Sequence, residues 1–251
     1  MSHGVGGPLV TIAVPSLNQG RFLEQAIESI ARQDVPVEIF VADAGSADGS
    51  VDILERWSDR LAGWRSHPDA GQASAINESI AKGSAPYVGW LNSDDLMLPG
   101  MLRRLVDALE ANPQWPAAYG RVGNVDEDSG RRWPVWVEPF SERRMALRCV
   151  ISQPGSLIRR SAWETVGGVD ESLHMTMDYD LWWRLAKRFG PPGMVDEEVA
   201  INRVHGDTKT RRFRRRHYAE AISVVRRHHG RVPLKWWLAQ PYAVWYKSIV
   251  G

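Results

Sequence analysis

Residues 87–100 read YVGWLNSDDLMLPG and join a short apolar run to a polar turn. The run from Tyr87 to Leu91 predicts a buried strand, because such a run bounded by turn residues is typical of the centre of a parallel sheet. The polar residues NSDD, 92–95, follow at its carboxyl end. Open α/β sheets bind ligands at the carboxyl ends of their strands. These residues therefore predict both an α/β fold and the place of its site.

The chain before this strand alternates between strand-like and helical patterns. Three apolar runs are strand-like, the third of them weakly: Val10–Pro15, Val37–Asp43 and Trp64–His67. Three stretches have helical spacing of apolar residues: Gly20–Arg32, Val51–Leu61 and Gln72–Lys82. Strands that alternate with helices indicate βαβ units. We therefore predict a Rossmann-like, mostly parallel central sheet flanked by helices.

The second half of the chain is less regular. Leu102–Leu109 carries an apolar helical stripe, and Ala117–Val125 with Trp133–Val137 flanks an Asp-Ser-Gly turn, as in a β-hairpin. Asp178–Phe189 is predicted as a helix and Val195–Val204 as a last strand. No repeat or low-complexity linker interrupts residues 1–205, so we predict one catalytic domain over this range.

Composition excludes several classes of protein. With 251 residues, 43% hydrophobic and 24% charged, the chain is typical of globular domains and unlike disordered or collagen-like chains. Its single cysteine, Cys149, excludes an internal disulfide bond and a thiolate zinc cage. No basic leader opens the sequence, and the apolar stretch Trp236–Tyr246 is shorter than the roughly 20 residues that span a bilayer. We therefore expect a cytoplasmic protein without a transmembrane helix.

Charge is distributed unevenly along the chain. Residues 203–251 contain 12 Lys and Arg against Asp207 and Glu220, a net charge of +10, which leaves −9 for residues 1–202. A basic tail suits phosphates or an anionic surface, but a solvated helix face explains the charge equally well. We predict a basic, aromatic-rich helical extension over residues 206–251.

The aromatic residues of this extension leave two interpretations open. Several of them accompany Lys235 and Lys247, a pairing typical of membrane interfaces: Trp236, Trp237, Tyr242, Trp245 and Tyr246. In the first interpretation the extension closes over a diphosphate and contacts the inner face of the membrane peripherally. In the second it packs onto the catalytic domain or forms a homodimer contact.

Two adjacent carboxylates indicate a metal site. Asp94 and Asp95 follow the strand that ends at Leu91, and neighbouring carboxylates repel each other unless a cation neutralises them. Mg²⁺ typically takes one or two carboxylates together with substrate phosphates. The alternative is an Asp cap on the next helix, which explains one carboxylate and not both.

Other polar residues have weaker signals. Asp43 ends a strand and can bind a base or ribose, or it can form an Asx-turn. Asp178 and Asp180 open a predicted helix, where the helix dipole favours them whether or not one is a catalytic base. His205 is followed by Lys209, which suits a diphosphate, although a lone His is usually structural. Neither a G-x-G-x-x-G motif after the first strand nor a P-loop motif occurs.

Four motifs together resemble family 2 of the inverting nucleotide-sugar glycosyltransferases, which have the GT-A fold. The resemblance runs from about Val10 to Lys209. It is carried by TIAVPSLNQGRFLEQAIESIARQ (11–33), VEIFVADAGSADGS (37–50), PDAGQASAINESIAKG with YVGWLNSDDLMLPG (68–83 and 87–100), and QPGSLIRRSAWETVGGVDESLHMTMDYDLWWRL (153–185). The resemblance implies a GT-A domain at 1–205 that binds a nucleotide-sugar donor.

The resemblance also implies roles for individual residues. Asp178 matches the general base, and Asp95 and His205 match the ligands of a divalent cation, Mn²⁺ or Mg²⁺. The positions that match nucleotide-binding residues are Pro15, Asn18, Asp43, Asp69, Gln72, Asp94 and Lys209. Three positions depart from the common pattern, since Ala44, Asn92 and Met177 stand where many members have acidic residues.

The implied activity is sugar transfer by direct displacement, most often from a UDP-sugar. The acceptor would be a saccharide or lipid-linked hydroxyl, as in cell-surface polysaccharide or lipopolysaccharide synthesis. Four tryptophans are candidates for stacking on sugar, with burial as the alternative: Trp133, Trp136, Trp182 and Trp183.

Two rival functions stay open at this point. A sugar-phosphate nucleotidyltransferase would have a Gly-rich, basic loop after the first strand, where this chain has SLNQGRF with Arg21 alone. A nucleic-acid-binding module could use RRFRRRH, 211–217, but would leave the carboxylates without a role. We expect no nucleic-acid partner.

Overall fold

The computed structural model describes residues 6–240 together with residues 242 and 244. Trp245, Tyr246 and Lys247, which the sequence assigns to a membrane or packing contact, lie outside the described residues, and so does the side chain of Arg211.

The described elements alternate along the chain. The strands are β1 Val10–Ser16, β2 Val37–Asp43, β3 Gly63–Ser66, β4 Tyr87–Trp90, β5 Leu96–Met97, β6 Ala117–Asp126, β7 Arg132–Pro134, β8 Ser156–Arg159 and β9 Gly193–Val204. The α-helices are α1 Gly20–Ala31, α2 Ser50–Trp57, α3 Gln72–Lys82, α4 Met101–Ala111, α5 Glu142–Met145, α6 Arg160–Val166, α7 Met177–Phe189, α8 Lys209–Arg212, α9 Arg214–His229 and α10 Leu234–Gln240. Single 3₁₀ turns lie at Ser58–Arg60 and Gln153–Gly155.

All of these strands join one sheet in the order β3-β2-β1-β4-β8-β6-β9-β5, with β7 paired to β6. β3, β2, β1 and β4 pair in parallel, as the βαβ pattern predicts, and β9 lies parallel to β6. β8 runs antiparallel to both of its neighbours, and β5 runs antiparallel to β9. The predicted α/β class is confirmed, and the carboxyl ends of β1, β2 and β4 meet at one edge of the sheet.

The core fills both faces of this sheet. Alternate residues of β1 point to opposite sides, so Val10, Ile12 and Val14 pack with α1, α2 and α4, whereas Ala13 packs with α3, α6 and α7. The apolar stripe of α1 is buried as its helical spacing predicts: Phe22, Leu23, Ala26, Ile27 and Ile30. The parallel strands are therefore held between two helical layers.

Two predicted elements differ from the structure. The hairpin forms between β6 and β7, but its second strand is Arg132–Pro134 rather than Trp133–Val137. β8, Ser156–Arg159, was not predicted as a strand, because four residues between two polar stretches carry no measurable periodicity. It nevertheless joins the parallel half of the sheet to β6.

The C-terminal helices pack on the same core. Ala221, Ile222, Val224 and Val225 of α9 are buried with residues of α7. The indole of Trp236 is 8% exposed, and its Nε1 donates a hydrogen bond to the Ala146 carbonyl oxygen at 2.8 Å. Trp236 therefore packs onto the catalytic domain, as the second interpretation of the extension expects.

The opposite side of α10 faces solvent. Leu234, Trp237 and Leu238 are exposed, and so is Tyr242 beyond the helix. No helix in the described part of the chain combines the length and the hydropathy that crossing a bilayer requires.

Candidate active site

A cavity of about 760 Å³ lies at the carboxyl ends of β1, β2 and β4. Seven of the predicted site residues line it: Pro15, Asp69, Gln72, Asp94, Asp95, Asp178 and Lys209. Asn18, Asp43 and His205 are not part of its wall. Residues separated by more than 160 positions in sequence thus share one cavity, at the edge of the sheet where α/β folds bind ligands.

Asp43 organises the loop after β2. Its carboxylate is fully buried; Oδ2 accepts hydrogen bonds from the backbone N–H groups of Gly45 and Ser46 at 3.1 and 2.8 Å and from the Ser66 hydroxyl at 2.6 Å. Oδ1 accepts from the Ser46 hydroxyl at 2.5 Å. This is the Asx-turn geometry that the sequence left open for Asp43. Contact of Asp43 with a base stays a prediction.

Asn18 joins the loop after β1 to the loop after β2. Its backbone has φ of +52°, a left-handed conformation that Asn tolerates better than most residues. Its N–H donates to the Ser46 hydroxyl at 2.7 Å, and its side-chain Oδ1 accepts from the Ala47 N–H at 3.1 Å. The two loops beside the cavity are therefore held together through Asn18 and Ser46.

Gln72, at the start of α3, connects three parts of the site. Its Nε2 donates to Asn92 Oδ1 at 2.7 Å, and its Oε1 accepts from Lys209 Nζ at 2.8 Å. Asn92 in turn donates from Nδ2 to Asp95 Oδ2 at 3.2 Å. Asn92, where an acid is more common, thus works as an amide bridge between Gln72 and Asp95.

Asp69 lies at the entrance to α3. Its Oδ2 accepts a hydrogen bond from Arg65 Nη2 at 2.9 Å, and its Oδ1 accepts from the Gly71 N–H at 2.8 Å. The side chain is only 10% exposed. A carboxylate held by a guanidinium and a backbone N–H has a fixed orientation in the cavity wall.

Asp95 is the most deeply buried of the carboxylates that line the cavity. It is 2% exposed, and its Oδ1 accepts a hydrogen bond from the Arg203 N–H at 3.1 Å. Burial raises the pKa of the Asp95 carboxyl group well above its ordinary value, and the neighbouring Asp94 carboxylate adds to this effect. An ionised Asp95 next to Asp94 therefore needs a nearby positive charge.

His205 faces Asp94 from the end of β9. Its Nδ1 lies 3.0 Å from Arg21 Nη2 and 3.3 Å from the Asp207 N–H, and both of these groups are donors. Nδ1 is therefore the acceptor nitrogen, and we assign the ring proton to Nε2, which donates to Asp94 Oδ2 at 3.1 Å. The imidazole is 2% exposed and packs on the Phe22 ring with centroids 4.9 Å apart.

The donor set around Asp94 fits a divalent cation in its chemistry. Carboxylate oxygens are ligands that Mn²⁺ and Mg²⁺ accept. Both ring nitrogens of His205 already have hydrogen-bond partners, so a metal contact of His205 stays a prediction. Within the described residues, no group of three His, Cys, Asp or Glu side chains is arranged to hold an ion alone. Substrate phosphates and water would have to supply the remaining ligands, which is the usual arrangement for Mg²⁺.

Arg203 is a site residue that sequence reasoning missed. It lines the cavity, is 5% exposed, and has its guanidinium 5.0 Å from the centroid of the Phe22 ring. Its Nη1 has no hydrogen-bond partner among the described residues. The sequence did contain a signal for Arg203: it lies two positions before His205 at the end of a predicted strand, and alternate side chains of a strand share one face.

Asp178 lines the cavity from the first turn of α7. Burial raises the pKa of its carboxyl group to about 6, although the backbone N–H groups of Tyr179 and Asp178 and the charge of Lys209 act in the opposite direction. The residue is still partly accessible, since the carboxyl group faces the cavity. A carboxylate with a pKa near neutrality is suited to general-base work.

Asp180 has a different role. Its carboxylate is fully buried and accepts hydrogen bonds from Arg184 Nε at 2.6 Å, His228 Nε2 at 2.8 Å and Arg227 Nη1 at 3.2 Å. Burial alone would raise the pKa of Asp180, but the hydrogen bonds from His228 and Arg184 outweigh it and lower the pKa. Asp180 does not line the cavity. Its hydrogen bonds with Arg227 and His228 join α7 to α9.

The four candidate tryptophans separate by burial. Trp182 and Trp183 are fully buried, with Trp182 stacked on Trp90 and Trp183 on His228. Trp136 is 59% exposed and lines the cavity, with the Arg148 guanidinium 4.0 Å from its ring centroid. Trp133 is partly exposed and lies on β7.

This sheet with its flanking helices has the GT-A fold of solved glycosyltransferase structures. The profile of the family described as "Glycosyl transferase family 2" matches residues 11–167, more than half of the chain. The chain belongs to this family, as the motifs predicted.

Curated relatives of the chain include polysaccharide synthases. A chondroitin synthase of Escherichia coli is 25% identical over 215 residues, which cover 80% of this chain and 29% of the synthase. A hyaluronan synthase of Pasteurella multocida is 26% identical over 215 residues, covering 82% of this chain and 21% of the synthase. The chain thus spans less than a third of the length of these relatives.

Solved structures share the fold. S. aureus TarS 1-349 in complex with UDP superimposes with a TM-score of 0.67 and 16% identity, covering 88% of this chain and 65% of TarS 1-349. The mannosyltransferase PcManGT from Pyrobaculum calidifontis, in complex with GDP-Man and Mn²⁺, superimposes with a TM-score of 0.67 and 20% identity, covering 98% of this chain and 74% of its own.

Proposed function

We propose that the chain transfers a sugar from a nucleotide-sugar donor to a hydroxyl group of a saccharide or lipid-linked acceptor, with inversion at the anomeric carbon. The observation that carries the proposal is the cavity that Asp94 and Asp95 share with Asp178. The ligands in the complexes of the structural neighbours, UDP and GDP-Man, support a nucleotide-sugar donor. A UDP-sugar is our first candidate and a GDP-sugar the second.

Asp178 acts as the general base in this proposal. With a pKa of about 6 its carboxyl group is mostly ionised at pH 7, so it can take the proton of the acceptor hydroxyl. The acceptor oxygen then forms a bond to the anomeric carbon while the bond from that carbon to the diphosphate oxygen breaks. The nucleoside diphosphate leaves with the electron pair, and this single displacement inverts the anomeric centre.

The leaving diphosphate needs positive charge around it. Lys209 Nζ, held by Gln72, lies in the cavity wall and supplies one charge from this chain. Asp94 and Asp95 would hold the divalent cation, which when bound acts as a Lewis acid that stabilises charge on the leaving phosphate. Preorganised charges of this kind usually make the largest single contribution to lowering the barrier of a reaction that develops charge.

The loops after β1 and β2 form the nucleotide side of the proposed site. Pro15 and Ala44 line the cavity beside the loops that Asn18 and Asp43 hold in place. Asp69 and Gln72 at the start of α3 complete this side, close to the N-terminal end of a helix, which favours phosphate.

Trp136 is the proposed acceptor platform. It is the most exposed of the four candidate tryptophans and it lines the cavity, so one sugar ring can stack on its indole. The names of the curated relatives, chondroitin synthase and hyaluronan synthase, support a polysaccharide acceptor. Cell-surface polysaccharide or lipopolysaccharide synthesis is the setting that we propose.

Product analysis tests this proposal. The chain is incubated with UDP- and GDP-sugars, Mn²⁺ and saccharide acceptors, and the released phosphate species and the anomeric configuration of the product are followed by NMR. Inverting transfer releases a nucleoside diphosphate and gives a β-linked product from an α-linked donor. Pyrophosphate consumption or release would instead indicate a nucleotidyltransferase, and a retained configuration would contradict direct displacement.

A further inference from the structure

Glu220 of α9 holds the loop that leads into Asp178. Its Oε2 accepts hydrogen bonds from the N–H groups of Met175 at 2.7 Å and His174 at 3.1 Å. Its Oε1 lies 3.3 Å from the same His174 N–H. These N–H groups belong to two of the three residues directly before α7, so one carboxylate of the C-terminal extension fixes the backbone three and four residues before the proposed base.

His217 adds a second contact from the same face of α9. Residues three positions apart on a helix are neighbours, and His217 also interacts with the backbone of Met175. Both His174 and Met175 line the cavity, as does His217 itself. The extension therefore holds the loop where the loop forms part of the cavity wall next to Asp178.

The charge of Glu220 is preserved by its surroundings. Burial alone would raise the pKa of its carboxyl group, but the hydrogen bonds from Met175, Arg216 and His174 outweigh it and lower the pKa. Burial lowers the pKa of the Lys209 amine, and the nearby Glu220 carboxylate acts in the opposite direction. Apart from Asp207 it is the only acidic residue in residues 203–251.

A helix-surface ion pair explains only part of this arrangement. Glu220 does pair with Arg216 one turn earlier, with Nε to Oε1 at 2.8 Å. Such a pair forms between two side chains of one helix and requires no contact with another segment. The Glu220 side chain is instead 13% exposed and points its second oxygen at the loop before α7.

We propose that Glu220 is a positioning residue for the transfer reaction: it fixes the loop 174–176 and thereby the place of Asp178 in the cavity wall. The proposal rests on the function proposed above, and it makes the extension a part of the acceptor side of the site. A displacement of about 1 Å at such a position can cost about 100-fold in rate.

Glu220→Gln tests the proposal with two independent measurements. Hydrogen exchange, followed by mass spectrometry, is measured on the peptide covering residues 172–180, and we expect its exchange to rise by about tenfold or more. We expect turnover to fall by about 10- to 100-fold while the affinity for UDP with Mn²⁺ stays at the wild-type value. Unchanged exchange at residues 172–180, or unchanged turnover, would overturn the proposal.

A control variant separates this effect from loss of any helical ion pair. Glu28→Gln removes the carboxylate from the Glu28–Arg32 pair on the surface of α1, and it should keep wild-type exchange at residues 172–180 and wild-type turnover. A purely structural role for Glu220 would lower UDP affinity and turnover together, and that result would also count against the proposal.

If Glu220→Gln does not fold, Glu220→Asp keeps the charge but retracts it by one methylene, so exchange at residues 172–180 should rise partway; wild-type exchange would overturn the proposal. If the wild-type chain transfers no sugar to any acceptor, the function proposed above fails, and the exchange measurement still decides whether Glu220 holds the loop.

Discussion

Asp178 and Asp180 lie two residues apart on α7 and face opposite sides of the helix, since each residue advances by about 100°. Asp178 faces the cavity, where burial raises the pKa of its carboxyl group to about 6. Asp180 faces α9, from which Arg227 and His228 donate hydrogen bonds to it, and Arg184 of its own helix donates a third. The same residue type at neighbouring positions is thus suited to proton transfer in one case and to structure in the other.

We expect Asp178→Asn to fold and to bind the nucleoside diphosphate but to lose turnover by about 100-fold or more. In the wild-type chain kcat/KM should fall as the pH drops through about 6, because the base works only when it is ionised. Steady-state kinetics across this pH range measure both effects. Near-normal turnover of the variant would make Asp178 a helix-terminal carboxylate without a catalytic role.

Stability provides the control for this variant. Because the folded state raises the pKa of Asp178, its ionised form favours unfolding above pH 6, and Asp178→Asn should not lower Tm at neutral pH. Asp180→Asn should be destabilised by about 3–5 kcal/mol, because it removes the buried carboxylate that accepts hydrogen bonds from Arg184, Arg227 and His228. Denaturant unfolding distinguishes the two variants.

At the paired carboxylates, we expect nucleoside diphosphate binding to require Mn²⁺ or Mg²⁺ and Asp95→Ala to weaken it. The reason is that burial, and next to it the repulsion from Asp94, raise the pKa of Asp95, and a cation would offset both effects. Titration calorimetry with and without a chelator measures the dependence. Equal affinity in the presence of chelator would contradict a cation that bridges protein and diphosphate.

Among the elements, α10 shows how one short helix divides between core and solvent. Trp236 is buried against Tyr218, with ring centroids 5.3 Å apart, and bonds to Ala146. The next residue, Trp237, is 45% exposed. These two neighbours form a matched pair in which side-chain size is equal and burial differs.

We expect Trp236→Ala to destabilise the chain by about 3–5 kcal/mol, because it leaves a large cavity and an unpaired Ala146 carbonyl oxygen. Trp237→Ala should change the free energy of unfolding by less than about 0.5 kcal/mol, as is usual for surface positions. Urea unfolding of both variants tests this. Equal destabilisation would show that the packing of α10 does not depend on Trp236.

Over the whole molecule, charge and exposed apolar surface coincide at the C-terminal end. Residues 203–251 have a net charge of +10, and three large apolar side chains of α10 are exposed: Leu234, Trp237 and Leu238. Each basic residue near an anionic leaflet contributes about 1 kcal/mol to binding. Packing of Trp236 therefore leaves a basic, apolar surface that still suits a peripheral membrane contact.

We expect the chain to float with anionic liposomes at low salt and to be released at high salt, because the attraction is screened within about 10 Å at 0.1 M salt. Truncation after residue 230 should abolish flotation. Vesicles of neutral lipid provide the control. Absence of binding to anionic vesicles at low salt would leave the surface of α10 as a contact between protein chains.

The sequence by itself determined the strands and helices in which apolar residues recur at a short, regular spacing. The strands β1, β2 and β4 and the helices α1, α3 and α7 follow from apolar spacing, because such spacing reflects neighbours within four residues along the chain. The positions of Asp94, Asp95 and Asp178 at the ends of these elements follow from the same patterns. Family membership followed from four motifs in a fixed order.

Only the tertiary structure decided which of these residues face the cavity and what surrounds them. It separated Asp178 from Asp180, buried Trp182 and Trp183 while leaving Trp136 exposed, and placed β8 in the centre of the sheet. It also brought Glu220 to the loop before α7, across 45 residues of chain. Burial and hydrogen-bond partners of this kind depend on segments far apart in sequence, so no local period of the amino acids encodes them.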